Sequence, residues 1–402
     1  MTKAISFFLF LFAISLGMQA QNAWIARPNY PGIARNNAVA FAIGTKGYLG
    51  TGGTTANGLR RDFWAWDQLT NTWTQIADFG GAARNGAIAF ATDGKGYVGT
   101  GSNAISWFDD LYEYDPVTNF WIQKADFPGG ARAEAIGFGS ENPKAGYIST
   151  GVNAAVYYND LWQYNPQTDS WVQKANVPTA GRTSGEGFFL QGKGYITTGS
   201  ITSIGDLSDL WEWDPQTDIW TQRSSMPVPG RKSSVGFAMN GKGYIATGSA
   251  PQLLNDFWEW DPLTDTWTQL PNVGVIYNRE EAAGFVIGNS CYVGGGYGWP
   301  NNGRLTDFWE YSNTIGIEEL PEISITLFPV PATDQLTLTF PSNLTKATIT
   351  ISDVSGKCVY QSEVSGSGIQ RINIESLAAG TYVFEMRSEK GFAREKFVKV
   401  SN

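Results

Sequence analysis

The chain has 402 residues, 28 Lys and Arg against 37 Asp and Glu, a net charge of −9 and no histidine. Nucleic acid is excluded as a partner, since holding a phosphate backbone needs clustered Lys and Arg and no basic run occurs. The missing histidine removes Ser-His-Asp and Cys-His nucleophiles, ordinary zinc sites and His-ligated copper, so no cofactor and no metal are expected.

Residues 1–20 carry Lys3, an apolar run from Ile5 to Leu16 and a small residue, Ala20, at the end. That pattern predicts a signal peptide and an exported protein, and the run is too short for an ordinary membrane span. No later stretch is apolar enough to span a membrane. The two cysteines, Cys291 and Cys358, fall in different predicted domains, which argues against a disulfide framework.

From residue 21 to about 315 one phrase recurs around Tyr48, Tyr97, Tyr147, Tyr195, Tyr244 and Tyr292, at steps of 48 to 50 residues. A fixed period of this size means one supersecondary unit used repeatedly. Each unit reads as four short strands, A to D. In the second, Ala87 to Phe90 is apolar, Gly96 to Gly101 ends in glycine, Leu111 to Tyr114 alternates, and Trp121 to Gln123 follows the turn Asp115-Pro116-Val117-Thr118-Asn119.

Three sets mark the repeats. An Arg precedes strand A (Arg35, Arg84, Arg132, Arg182, Arg231, Arg279), and an Asp opens strand C (Asp62, Asp110, Asp160, Asp209, Asp256, Asp307). A Trp lies in strand D (Trp73, Trp121, Trp171, Trp220, Trp267), one fewer than the other sets. The missing Trp is Trp24, 49 residues before Trp73. The N-terminal segment is therefore expected to supply strand D to the sixth repeat, which would remove an open sheet edge and close a ring.

These spacings resemble the kelch repeat, with the likeness carried by Gly52-Gly53, Tyr114 and Trp121. The resemblance implies an all-β fold, a six-bladed kelch-type β-propeller over residues 21–315. Repeats two to five depart from it, reading Thr-Gly where the family has two glycines, as in Thr100-Gly101.

A linker at 316–324 precedes alternating segments that predict a small antiparallel β-sandwich over 325–402. Phe328-Pro329-Val330-Pro331-Ala332, Asp353-Val354-Ser355-Gly356-Lys357, Leu377 to Tyr382 and the basic ending Lys396 to Lys399 resemble the C-terminal sorting domain of type IX secretion cargo. One departure is Val330, where the family usually has Asn. The resemblance implies passage across the outer membrane of a Bacteroidetes-type bacterium, the type IX machinery as a partner, and a final place at the cell surface or outside it.

Chain direction puts the D-to-A and B-to-C connections at one end of each unit. That end holds the six arginines and the aromatics Trp107, Phe108, Tyr157, Tyr158, Tyr297 and Trp299. Cations beside exposed rings suit an anionic or carbohydrate ligand, or a protein. A residue present in every repeat is more easily explained by something every repeat needs, such as a bond from Arg to a carbonyl or to the repeated Asp.

Departures from the repeat say more. Four residues past the Arg stand Val39, Ile88, Ile136, Val235 and Ala283, but the fourth repeat has Glu186; two past it, repeats three and six have Glu134 and Glu281, with Glu280 adjoining. A carboxylate at an apolar position is costly unless paired, hydrated or protonated, so Glu186, Glu134 and Glu281 are the candidate acids. Copper chemistry of the galactose oxidase type is excluded by the absence of His. Bacterial sialate mutarotase resembles this chain as an exported six-bladed kelch protein without a metal, and an acid with an arginine could open and close a sugar ring. The expected function is glycan or protein binding, with a metal-independent sugar mutarotase, isomerase or lyase as the alternative and an adhesive surface protein as a third reading.

Overall fold

A computed structural model describes residues 24–401, apart from 55–57, 104, 155, 275–276, 300–302, 313–322, 324, 341–345, 355–356, 366–367 and 389–390. The expected signal peptide and nearly all of the expected linker lie outside the described residues. Every regular element described is a strand, so the protein is all-β, and none of its described segments is a helix able to cross a membrane. The chain divides into two compact units, one within 22–314 and one within 315–402.

The first unit holds six four-stranded antiparallel sheets among its described residues. The second is typical, with Ile88–Thr92, Lys95–Gly99, Leu111–Asp115 and Phe120–Lys124 in chain order. The exception contains Ala283–Ile287, Ser290–Gly294 and Phe308–Ser312, whose fourth strand is Trp24–Arg27 from the other end of the unit. Trp24 lies opposite Tyr311 and Arg27 opposite Phe308. Strand A of each sheet packs against strand A of both neighbours, the sixth (Ala283–Ile287) against the first (Val39–Ile43).

Repeated side chains explain the circle. Each strand-D indole donates to a carbonyl about one period earlier, as Trp121 Nε1 does to Ala77 O at 3.1 Å, and Trp24 does the same to Pro271 O at 3.1 Å. The Asn or Asp ending the C-to-D turn takes a left-handed backbone (Asn119, φ 53°) and accepts from the preceding sheet, as from Ala77 N at 2.9 Å. At the opposite end, a glycine after strand B donates its N–H to the next repeat's Arg carbonyl: Gly52 to Arg84, Gly101 to Arg132, and so on to Gly296, which donates to Arg35 at 3.0 Å. This glycine sits near φ 90°, and at Gly52 a Cβ would come within 2.7 Å of Asn36 O, so no other residue fits.

That geometry corrects one reading of the sequence. The first repeat's counterpart of Thr100-Gly101 is Thr51-Gly52 (φ 57° and 90°), not Gly52-Gly53, so five repeats place a β-branched residue in the left-handed region and only the sixth uses Gly295 there. Such a conformation is strained for threonine.

The second unit contains a three-stranded sheet (Thr326–Phe328, Gln335–Phe340, Gly368–Asn373) and a four-stranded one in the order Cys358–Ser365, Lys346–Asp353, Gly380–Ser388, Gly391–Lys399. Leu336, Leu338 and Ile372 of the first share one buried core with Ile349, Ile351, Phe384 and Phe397 of the second. Both cysteines are free thiols, Cys291 buried and Cys358 exposed.

Candidate functional site

The six arginines do not present cations to a ligand. All are buried, at most 2 % exposed. In each, Nη1 donates to the carbonyl at the end of strand B, Thr51, Thr100, Thr150, Thr198, Thr247 or Gly295, at 2.7–3.1 Å. The guanidinium then grips the Asp that opens strand C: Arg132 reaches Asp160 at 2.6 and 3.0 Å, and Arg35, Arg84, Arg182, Arg231 and Arg279 bind Asp62, Asp110, Asp209, Asp256 and Asp307. Burial alone would raise the Asp62 carboxyl, but the bonds from Arg35 and Trp64 outweigh it and hold it below its ordinary value. These groups pin strand ends together, and the expectation that they bind ligand is corrected accordingly.

The loop aromatics divide. The Tyr158 ring lies 3.6 Å from the Arg132 guanidinium and its hydroxyl accepts from Asn153 Nδ2 at 2.8 Å; Phe108 covers Arg84 at 4.1 Å. Both serve the clamps, which removes Tyr158 from the expected binding set. Trp107 and Tyr157 are exposed, 41 % each. Backbone bridges place them: Trp107 pairs with Ser102 and Ser102 with Asn85, while Tyr157 pairs with Val152 and Val152 with Ala133. Asn85 and Ala133 precede Gly86 and Glu134, and the backbones of Trp107 and Tyr157 lie two strand spacings, about 10 Å, from those of Asn85 and Ala133. Trp299 lies in the strand Tyr297–Trp299 opposite Asn278, and its side chain is outside the described residues.

Gly86 and Glu134 belong to a ring around the unit's axis. The residue two past each Arg (Asn37, Gly86, Glu134, Ser184, Ser233, Glu281) adopts a left-handed backbone with φ between 51° and 58°. Five successive N–H to carbonyl bonds link them: Asn37 to Glu281, Glu281 to Ser233, Ser233 to Ser184, Ser184 to Glu134, Glu134 to Gly86, all 2.8–3.1 Å. They surround a cavity of about 120 Å³ whose wall also includes Ser234 and Glu186. By the space one water needs, that is room for on the order of ten waters. Below it the channel continues as volumes of about 180 Å³ and 260 Å³ between the six strand-A segments.

All three sequence-predicted acids line this cavity, and among the described residues none has a cationic partner within 4 Å. Glu186 lies deepest. Its Oε2 accepts from Gly236 N at 3.1 Å, and burial pushes its carboxyl up to about 8. Gly236 makes the space, because a Cβ there would stand 2.7 Å from that of Glu186. Glu281 accepts from Asn36 Nδ2, and burial, with the charges of Glu280 and Glu134, raises its carboxyl. Glu134 accepts from Ser184 Oγ and, at 3.3 Å, from Thr183 Oγ1. Glu280 accepts from Ser249 Oγ at 2.6 Å and is not part of the wall.

Sequence reasoning missed the small polar members, Asn37, Ser184 and Ser233, which share the plus-two position with Glu134 and Glu281. It also missed Phe189, which enters the far end of the channel where other repeats have Ala42, Ala91, Gly139, Ala238 or Val286, and stacks on Tyr147 at 5.7 Å. The rule that exposed Glu186, departure from the repeat, would have found it. No group of His, Cys, Asp or Glu among the described residues is arranged to hold a metal ion.

Comparison with known proteins agrees with this architecture. Residues 235–274 match the Kelch motif, and residues 326–400 match the secretion system C-terminal sorting domain. The chain carries kelch sequence and a type IX sorting domain. A protein with this sorting domain is exported to the cell surface or the extracellular space, and the secretion machinery is a partner. The solved structure of YjhT is similar over 70 % of this chain and 95 % of that one, with a TM-score of 0.60 and 17 % identity, a likeness of fold. No curated protein matches the chain.

Proposed function

We propose that the six four-stranded sheets are the blades of one closed six-bladed propeller over residues 21–315, that the two C-terminal sheets over 325–402 form a β-sandwich joined by a linker at 316–324, and that this exported propeller binds a glycan at its axial mouth. The observation that carries the binding reading is the convergence of Glu134, Glu186 and Glu281 on one cavity, each a departure from its repeat. Carboxylates, serine hydroxyls and the Asn37 amide are the acceptors and donors that sugar hydroxyls require, and Trp107 and Tyr157 are exposed aromatics on loops of the same end. The wall carries no cation, so the anionic ligand expected from the arginines gives way to a neutral or cationic one.

The test is a glycan array probed with the mature protein beside Glu186→Gln and Trp107→Ala. Binding that weakens in both variants supports the reading, and strong binding unchanged by either moves the site elsewhere.

One observation favours the alternative, a metal-independent sugar mutarotase. Glu186 retains a proton near neutral pH, as a general acid must, while Glu134 stands in the same wall as a base. Interconversion of sugar anomers faster than in buffer, lost in Glu186→Gln, would establish turnover.

A further inference from the structure

Glu186 is the least expected residue in the molecule. Its carboxyl has one hydrogen bond among the described residues, from Gly236 to Oε2, and the residue lines the cavity. A half-buried carboxylate with one hydrogen bond and no cation is costly, and the fold does not ask for one, since five repeats place Val, Ile or Ala at the same position. The cavity is also one-signed. Glu134 and Glu281 are the other titratable groups in its wall, Glu280 adjoins the latter, the six repeated guanidinium groups are committed to their own aspartates, and Arg304 reaches only Asn36, whose amide donates to Glu281.

We propose that the axial cavity selects a glycan bearing a free primary amine, with the Glu186 carboxylate receiving the ammonium and Glu134 and Glu281 accepting neighbouring hydroxyls. The proposal rests on the reading of the mouth as a glycan site. A metal ion fits less well, because it needs several oxygens converging at about 2.3–2.6 Å, and no such group is present among the described residues. An ammonium needs one carboxylate and can share its other donors with hydroxyls, which Ser233 and Ser234 supply in the same wall. An acidic sugar meets three carboxyl groups in the wall and no cation there. A neutral sugar leaves Glu186 without its partner.

Binding of this kind has a signature that packing alone does not produce. The empty site holds a proton on Glu186 near neutral pH, and an arriving ammonium favours the ionised form, so the proton leaves. Below pH 8, affinity then rises by up to about tenfold per pH unit until the ligand's own amine loses its charge.

Calorimetry on the mature protein would use glucosamine oligomers, the same oligomers N-acetylated, and oligogalacturonate, each in two buffers of different ionisation enthalpy. The expected result is binding of the amine form at least about tenfold tighter than the acetylated form, by the strength of a charge-assisted hydrogen bond. Oligogalacturonate should not bind, and close to one proton should be released at pH 5, where the oligomer's amines are fully charged and Glu186 holds its proton. Glu186→Gln should remove both the preference and the proton release, with Glu186→Val as the check that the propeller still folds. Equal binding of the amine and acetylated forms, or a preference that survives Glu186→Gln, overturns the amine assignment and leaves the glycan site standing. If no oligosaccharide binds the folded protein, the glycan reading fails and this inference fails with it.

Discussion

The aspartates that open strand C and the glutamates around the axial cavity belong to the same unit and differ in every other respect. Each aspartate meets a buried arginine, and several also accept from an indole, as Asp160 does from Trp162 at 2.8 Å. The glutamates have hydroxyls, amides and a single backbone N–H, and no cation among the described residues. The first arrangement occurs in every repeat and the second only in repeats three, four and six. Charge that every repeat carries is consumed in pinning that repeat's strand ends, whereas the axial glutamates of three repeats have no cationic partner among the described residues.

The largest expected effect would break the first set. Arg132→Ala leaves the half-buried Asp160 carboxylate without its cation and removes the guanidinium the Tyr158 ring covers, and is expected to lower stability by about 3–5 kcal/mol in urea unfolding. A variant that unfolds as the parent does but loses ligand would return the arginines to the binding face.

Glu186→Val sharpens the other side and has the opposite sign. The carboxyl's pKa is raised on folding from 4.5 to about 8, so the folded state binds the proton more tightly. Its contribution to stability is intact below pH 4.5 and is lost as pH rises through 8. Thermal unfolding of the valine variant should match the parent near pH 4 and exceed it at pH 9 by on the order of 2–4 kcal/mol. A gain that does not vary with pH would show that Glu186 is not the titrating group.

A smaller effect concerns the strain the clamps tolerate. Thr100 holds φ 57° with its hydroxyl buried and unpartnered while its carbonyl receives Arg84. Thr100→Gly, the residue found in the sixth repeat as Gly295, should stabilise by about 0.5–1 kcal/mol. Least of all in stability, within about 0.5 kcal/mol, is Trp107→Ala, since the ring is exposed; its effect should appear only in glycan affinity.

Much of this is readable in the chain alone. Counting six Arg, six Asp and five strand-D Trp leaves Trp24 as the missing member, and the observed pairing sets it opposite Tyr311. The three acids stand out because a repeat supplies its own reference. The direction of the arginines does not: a side chain before strand A can point to the axis or back under its own loop, and the two look alike in one dimension. The same ambiguity slips the double-glycine likeness by one residue, because only backbone angles show Thr51-Gly52 to be the equivalent pair.

By itself the sequence determined the period, the strand content, the export address and which residues break the pattern, since all of these are local or are comparisons of one repeat with the next. Only the tertiary structure decided that positions about 50 residues apart meet at one mouth, that the arginines turn back onto their own repeat's aspartates, and that Glu186 shares a cavity with two other acids. The reason is geometric. Around a closed circle each strand A neighbours two others, and what gathers at the axis depends on the turn of every blade together.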